Sequence, residues 1–189
     1  IPLPVDLYRS FGINRSNSMG VNLANDNQLR ELAEGLAAAA SKQWSAAPLV
    51  PGAQLTGETT NATNPAKRSQ VVGQWQAADS ATVELALRNA TDAFESWNAT
   101  PAAGRAAILE HAADLMESRM AEYIHLCTLE AGKTIADGIA EVREAVDFLR
   151  YYAAQARELF VTEQLPGPTG ESNVLSLHGR GVFACISPW

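Results

Sequence analysis

Cysteine, histidine and long apolar runs are scarce in this sequence. It has two cysteines, Cys127 and Cys185, and three isolated histidines among 189 residues. Two distant cysteines show no metal-ligand spacing, and so few of them favour a reducing, cytoplasmic compartment over a disulfide-linked secreted fold. No apolar run approaches the roughly 18 residues that a membrane span needs, so we expect no transmembrane segment.

Positive charge is also in short supply. Lys and Arg number 14 against 21 Asp and Glu, which gives a formal net charge of -7. Nucleic-acid binding needs a basic face, so we expect none through this stretch. The composition, with 47% hydrophobic and 19% charged residues, is that of a globular protein able to bury a core.

No catalytic constellation is apparent. The sequence lacks a Ser/His/Asp arrangement, paired histidines and a glycine-rich phosphate loop. Gly179-Arg180-Gly181 precedes an apolar run, whereas a dinucleotide-binding loop follows a strand. Cys127 lies in a helical apolar pattern, which favours packing over nucleophilic chemistry. We therefore expect no catalytic residue and no metal site here.

Hydrophobic periodicity predicts a mostly helical chain after a linker over residues 1–24. Helices are predicted from Asp26 to about Trp44, Ser80 to about Trp97, Thr100-Pro101 to about Met120, Ala121 to Ala131, and Thr134 to about Phe160. Asp26, Ser80, Thr100 and Thr134 are the expected caps, and Gly132 is an expected helix stop.

Strand patterns occur in three places. Val71–Gln76 follows a turn at Asn64-Pro65, and Asn173–His178 alternates with period two, as a half-exposed strand does. The run after Gly181 is apolar throughout and predicts a buried strand. Such a strand needs neighbours on both edges, and Ile1 is not an initiator, so we expect an internal piece of a larger protein.

Several short motifs, each weak by itself, follow one another in an order that is informative. They are Asn64-Pro65-Ala66, Trp97, Thr100-Pro101 with Arg105, Glu130-Ala131-Gly132-Lys133-Thr134, Arg150-Tyr151-Tyr152-Ala153, and Ile186-Ser187-Pro188-Trp189. In this order the sequence resembles the N-terminal part of the aldehyde dehydrogenase superfamily, from about residue 60 to the end.

Upstream motifs narrow the resemblance. Leu3-Pro4-x-Asp6-Leu7-Tyr8 and Arg15-x-Asn17-Ser18-x-Gly20 resemble the connector of the bacterial PutA family. In that family the connector joins a flavin-containing proline dehydrogenase barrel to an aldehyde dehydrogenase module. Glu141–Ala153 and Cys185–Trp189 also look closer to that family than to generic aldehyde dehydrogenases.

The resemblance implies an α/β fold: the N-terminal part of the aldehyde dehydrogenase fold, mostly helical here and ending at the first strand of a Rossmann-like parallel sheet. It implies four parts: an interdomain connector (1–24), the helical part of the NAD-binding domain (25–167), an oligomerisation-type β-hairpin arm (168–180), and the first strand of the NAD-binding core (181–189). The arm implies a homo-oligomer.

The implied activity is oxidation of a small-molecule substrate, L-glutamate γ-semialdehyde, to glutamate with NAD. The semialdehyde arises from pyrroline-5-carboxylate after FAD-dependent proline oxidation in another domain. The family's catalytic Cys and Glu, and the Asn that stabilises the oxyanion, fall after Trp189. The stretch by itself is therefore expected to be inactive.

The resemblance also implies site residues. Ile186, Ser187, Pro188 and Trp189 match a stretch beside the NAD ribose, although Trp189 can also be interpreted as a core aromatic. Glu144 matches a Glu that approaches the aldehyde site, and the alternative is a solvated helix-face carboxylate. A further alternative lets Glu141, Asp147 and Arg150 form surface pairs along one helix.

Two rival functions remain open on the sequence. One is a noncatalytic helical interaction or scaffold module, favoured by the amphipathic helices over 80–160 and the lack of catalytic residues. The other is an aldehyde dehydrogenase of different substrate specificity. A flavin-barrel segment upstream of Ile1 would separate the bifunctional enzyme from this second rival.

Overall fold

The computed structural model describes residues 2–187, the side chain of Val5 excepted. Single 3-10 turns at Pro4–Asp6 and Arg9–Phe11 lie in the N-terminal segment. The helices are α1 (Asp26–Ala39), α2 (Ser80–Ala99), α3 (Ala102–Ser118), α4 (Met120–Glu130) and α5 (Ile135–Leu159). The strands are β1 (Trp44–Ala46), β2 (Thr59–Asn64), β3 (Lys67–Gln76), β4 (Glu163–Leu165) and β5 (Asn173–Leu175).

The core lies where α5 packs against α3 and α4, and α4 packs against α1. Apolar residues recur on one face of each helix, so their burial follows the helical period. The buried cluster consists of Leu32, Ala113, Ile124, Ile139, Val142 and Val146. Gly35 lets α1 approach α4 closely, because a Cβ there would lie 2.7 Å from the Cβ of Ala121.

A small mixed sheet with the order β1-β3-β2 lies beside α4. β2 and β3 form an antiparallel hairpin around Pro65-Ala66, which confirms the predicted turn. β1 pairs with β3 in parallel, with Trp44 opposite Gly73. A Cβ at Gly73 would lie 2.6 Å from the Trp44 carbonyl oxygen, so this close pairing requires glycine.

The α5 boundaries are confirmed. Thr134 Oγ1 accepts a hydrogen bond from Asp137 N at 3.1 Å, which satisfies one free backbone donor of the first turn. The preceding helix stops before Gly132, whose φ of +67° lies in the left-handed region. The Gly132 stop and the Thr134 cap together define the turn between α4 and α5.

Three predicted caps are wrong, each by a single residue. Asn25, not Asp26, caps α1, and its side chain accepts from the amides of Asn27 and Gln28. Asp79, not Ser80, caps α2 and accepts from Thr82 N. The residue with non-helical backbone is the one whose side chain can reach back to the free amides.

The Thr100 cap is also wrong. Its hydroxyl donates to the Ser96 carbonyl in the last turn of α2, and Pro101 precedes α3 without a side-chain cap.

The predicted first helix was too long, and several strands were not predicted. α1 ends at Ala39 because the chain turns there and carries Trp44 into β1 beside Gly73. β2 has the polar sequence TTNATN, which shows no apolar alternation. β4 is a stretch of three exposed residues that forms only through pairing with β5.

The C-terminal expectations are corrected in part. The hairpin of β4 and β5 begins at Glu163, before the predicted arm, and its second strand ends at Leu175 rather than His178. Residues 182–187 form no strand, because no described strand lies alongside to supply ladder hydrogen bonds. Pro188 and Trp189 lie outside the described residues.

The α/β class with mostly helical content is confirmed. Within residues 2–187, every helix is too short or too polar to cross a bilayer.

Candidate functional site

A cleft of about 360 Å³ lies between the N-terminal segment and one face of α5. Its lining residues are Arg15, Glu144, Asp147, Phe148 and Tyr151. The four α5 residues follow the i, i+3, i+4, i+7 spacing of one helix face, so they point to the same side. We call this space the α5 cleft.

Arg15 forms the opposite wall and is held by aromatic rings. Its guanidinium carbon lies 3.9 Å from the centroid of the Tyr8 ring and 5.5 Å from that of Tyr151. Its Nε atom is buried and has no hydrogen-bond partner. Among the described residues no carboxylate lies within ion-pair distance of it, so stacking on aromatic rings holds the cation.

A buried serine fixes the N-terminal segment to α5. Ser18 is 5% exposed, its amide donates to Asp147 Oδ1 at 2.8 Å, and its hydroxyl donates to Asp147 Oδ2 at 2.7 Å. Arg143 Nε donates to the same hydroxyl oxygen at 3.2 Å. Hydrogen bonds to a charged group are the stronger kind, so this contact holds the segment in one register.

Arg150 ties the segment to both α5 and α3. It donates to the Asn17 carbonyl oxygen at 3.3 Å, to Glu117 Oε2 at 2.8 Å and to Asp114 Oδ1 at 2.9 Å. The hydrogen bond that Arg150 donates to Glu117 is the largest influence that raises the pKa of Arg150. These contacts favour the charged form of the guanidinium. The Met19 amide also donates a hydrogen bond to Glu117.

The chemistry available in the α5 cleft is binding rather than catalysis. It offers a cation, two carboxylates and aromatic surface, but no nucleophile lines it. Cys127 lies elsewhere, and burial raises the pKa of its thiol, which keeps it protonated and poorly nucleophilic. No cluster of three His, Cys, Asp or Glu side chains suited to a metal occurs in residues 2–187.

The predicted site residues do not come together. Glu144 lies in the α5 cleft on an exposed part of the helix. Ile186 and Ser187 lie in the irregular C-terminal segment, where Ile186 is 90% exposed, and they do not line the cleft. Pro188 and Trp189 were also predicted at the cofactor and lie outside the described residues.

The alternative of surface pairs along α5 is wrong. Asp147 binds Ser18, Arg150 binds α3, and Glu141 pairs with Lys133. Sequence reasoning missed Arg15 and Ser18 as parts of a site. The signal was present in Arg15-x-Asn17-Ser18-x-Gly20, but periodicity assigns no role to a segment without helical or strand pattern.

Comparisons with known proteins identify the family. The sequence model of the Aldehyde dehydrogenase family matches residues 52–189. Bifunctional protein PutA of Salmonella typhimurium is 44% identical over 189 residues, which cover 100% of this chain and 13% of that protein. The chain thus spans a small part of the curated relative that it matches.

Solved structures give the same result. Proline utilization A (PutA) from Bdellovibrio bacteriovorus superposes with a TM-score of 0.76 at 30% identity, over 82% of this chain and 16% of that one. The 1-pyrroline-5-carboxylate dehydrogenase from Thermus with bound NAD gives a TM-score of 0.71 at 30% identity, over 80% and 30%. The resemblance drawn from the motifs is confirmed. Because the family model covers well over half of the sequence, the chain belongs to the aldehyde dehydrogenase family.

Proposed function

We propose that this chain is a segment of a bifunctional proline-catabolic enzyme and builds part of its L-glutamate γ-semialdehyde dehydrogenase module. The observation that carries the proposal is the extent of the match. All 189 residues align with a bifunctional PutA protein, including residues 1–51, which lie before the family match. Part of that extra stretch is hydrogen-bonded to α5 beside the cleft.

NAD is the proposed oxidant, and Ile186, Ser187, Pro188 and Trp189 are its proposed contacts. The described part of this stretch fits a limited role. Ile186 presents an exposed apolar side chain, and the residues from Val182 to Ser187 carry no charged group. Such residues suit contact with a ribose, whereas binding of the pyrophosphate would need other parts of the protein. When bound, NAD accepts the hydride from the substrate.

Glu144 is the proposed substrate contact in this stretch. It lies on the cleft face of α5, is exposed, and has no ion-pair partner among the described residues. Its carboxylate is therefore available to a ligand. The catalytic Cys and Glu are proposed to lie in a part of the enzyme that this chain does not include.

The rest of the enzyme follows from the same proposal. Proline oxidation with FAD would occur in another domain, which residues 1–24 would connect to this module. The hairpin of β4 and β5 has exposed strands, which suit pairing with a second copy in a homo-oligomer. Two unpaired cysteines accord with a cytoplasmic enzyme.

The test is NADH formation by the protein expressed from the complete gene. We expect NAD reduction with pyrroline-5-carboxylate, and also with proline when an electron acceptor for the flavin is supplied. Oxidation of other aldehydes without pyrroline-5-carboxylate would instead support a dehydrogenase of different specificity. No oxidation of any aldehyde would support the noncatalytic scaffold.

A further inference from the structure

We propose that Arg15 is a specificity-determining residue that binds the carboxylate of the amino-acid substrate in the α5 cleft, with Glu144 facing the substrate's ammonium group. The inference rests on the proposed function and names what its substrate site recognises. Arg15 lies outside the residues matched by the family model, so it would be an addition to the common dehydrogenase module.

The first argument is the missing counterion. The other partly buried arginines of the helical layer have hydrogen-bond partners for their guanidinium groups: Arg150 pairs with Glu117, Arg157 pairs with Glu110, and Arg105 donates to three main-chain carbonyl oxygens. Arg15 is partly buried between two tyrosine rings, and no such partner occurs for it in residues 2–187. A guanidinium held this way beside an open cleft presents its N–H groups in the fork geometry that a carboxylate accepts.

The second argument is that the two acidic residues of the cleft differ in their hydrogen bonding. Both carboxylate oxygens of Asp147 accept hydrogen bonds from Ser18. Glu144 makes no described hydrogen bond or ion pair, so it is the carboxylate free to meet an ammonium group. Within residues 2–187, the cleft therefore presents one cation and one anion that have no ion-pair partner, the complement of an α-amino acid.

The third argument is size and rigidity. A volume of about 360 Å³ with Phe148 and Tyr151 on its wall suits a small molecule that has a short apolar stem. Arg15 is three residues from Ser18, whose bonds to Asp147 fix the local backbone. A positioned guanidinium loses little freedom when it binds, which favours selective recognition.

The experiment uses the full-length enzyme with Arg15→Met, Arg15→Lys and, as the matched control, Arg9→Met. Arg9 is an exposed arginine of the same segment. The substrates are L-glutamate γ-semialdehyde and pentanal, an uncharged aldehyde of the same chain length. For Arg15→Met we expect kcat/KM for the semialdehyde to fall about tenfold or more, mainly through KM, since a hydrogen-bonded charge is lost. Activity with pentanal should stay within about twofold, Arg15→Lys should be intermediate, and Arg9→Met should match the wild type.

A loss shared equally by both aldehydes would assign Arg15 a structural role and overturn the proposal, as would no loss with either. Calorimetric titration with L-glutamate provides a readout that needs no turnover. We expect the wild-type enzyme to bind and Arg15→Met to bind at least about tenfold more weakly. If the wild type binds glutamate through Arg15 but does not oxidise the semialdehyde, the proposed function fails while the binding site stands.

Discussion

Replacing Ser18 with alanine tests how firmly the N-terminal segment is attached to α5. The substitution removes one hydroxyl and with it two hydrogen bonds, to Asp147 Oδ2 at 2.7 Å and from Arg143 Nε at 3.2 Å. The backbone bond from the Ser18 amide to Asp147 Oδ1 remains. The fold of the helices should be unaffected, because the deleted hydroxyl bonds only to side chains of α5 and takes part in no backbone hydrogen bond of a helix.

The magnitude follows from the surroundings of that hydroxyl. Hydrogen bonds to charged groups contribute about 1.5–3 kcal/mol each, but Arg143 is exposed and can bind water instead. Asp147 is only partly buried, so water can also reach part of its freed oxygen. We therefore expect the free energy of local opening around Ser18 to fall by about 2 kcal/mol.

Amide hydrogen exchange measures this directly in the full-length protein. A loss of about 2 kcal/mol corresponds to exchange roughly 30-fold faster for the amides of residues 17–20. Ser10→Ala is the control. Within the described part of the chain, the hydroxyl of that exposed serine bonds only to the Leu7 carbonyl, so its loss should leave residues 17–20 unchanged. Unchanged exchange in Ser18→Ala would show that the Asp147 contact does not hold the segment, and the argument above would be refuted.

Two further perturbations address the helix ends. Hydrogen bonds from Thr56 and Thr82 lower the pKa of Asp79 from 3.8 to about 2, so its stabilisation of α2 is present above about pH 4 and is lost as the pH falls toward 2. The protection of the amides at the start of α2, taken relative to their intrinsic exchange rate at each pH, should fall over that window. Asp79→Asn should remove this dependence, and the exposed control Asp92→Asn should keep it. Thr134→Ala should weaken the start of α5 by about 1 kcal/mol because the Asp137 amide loses its acceptor. Thr134→Ser keeps the oxygen and should exchange like the wild type; equal protection in all three proteins would contradict the cap.

Local signals in the sequence were enough for most of the helical layer. Apolar spacing located every long helix, and Thr134 and Gly132 marked their boundaries correctly. These features depend on residues within one or two turns of each other. The misplaced caps at Asp26 and Ser80 also come from reasoning on local sequence alone. Two neighbouring polar residues are equally good cap candidates in a sequence, and only the backbone angles show which one is the cap.

Features that depend on distant partners could not be predicted. β1 exists because Gly73 admits the Trp44 backbone, and β4 exists because β5 lies beside it. Likewise, Arg15 and Glu144 line one cleft because Ser18 bonds to Asp147. These two bonded residues are 129 positions apart in the sequence. A hydrophobic pattern carries no information about such pairings.

The attachment of Asn17 and Ser18 has a practical consequence for anyone shortening this protein. Cutting at residue 25, where regular helix begins, or at residue 52, where the family match begins, would strip Asp147, Arg143 and Arg150 of partners that they have in the intact chain. The trimmed protein would expose the face of α5 that carries Glu144, Asp147, Phe148 and Tyr151, which is partly charged and partly apolar. A safer starting point lies ahead of Tyr8, so that the ring against Arg15 is kept.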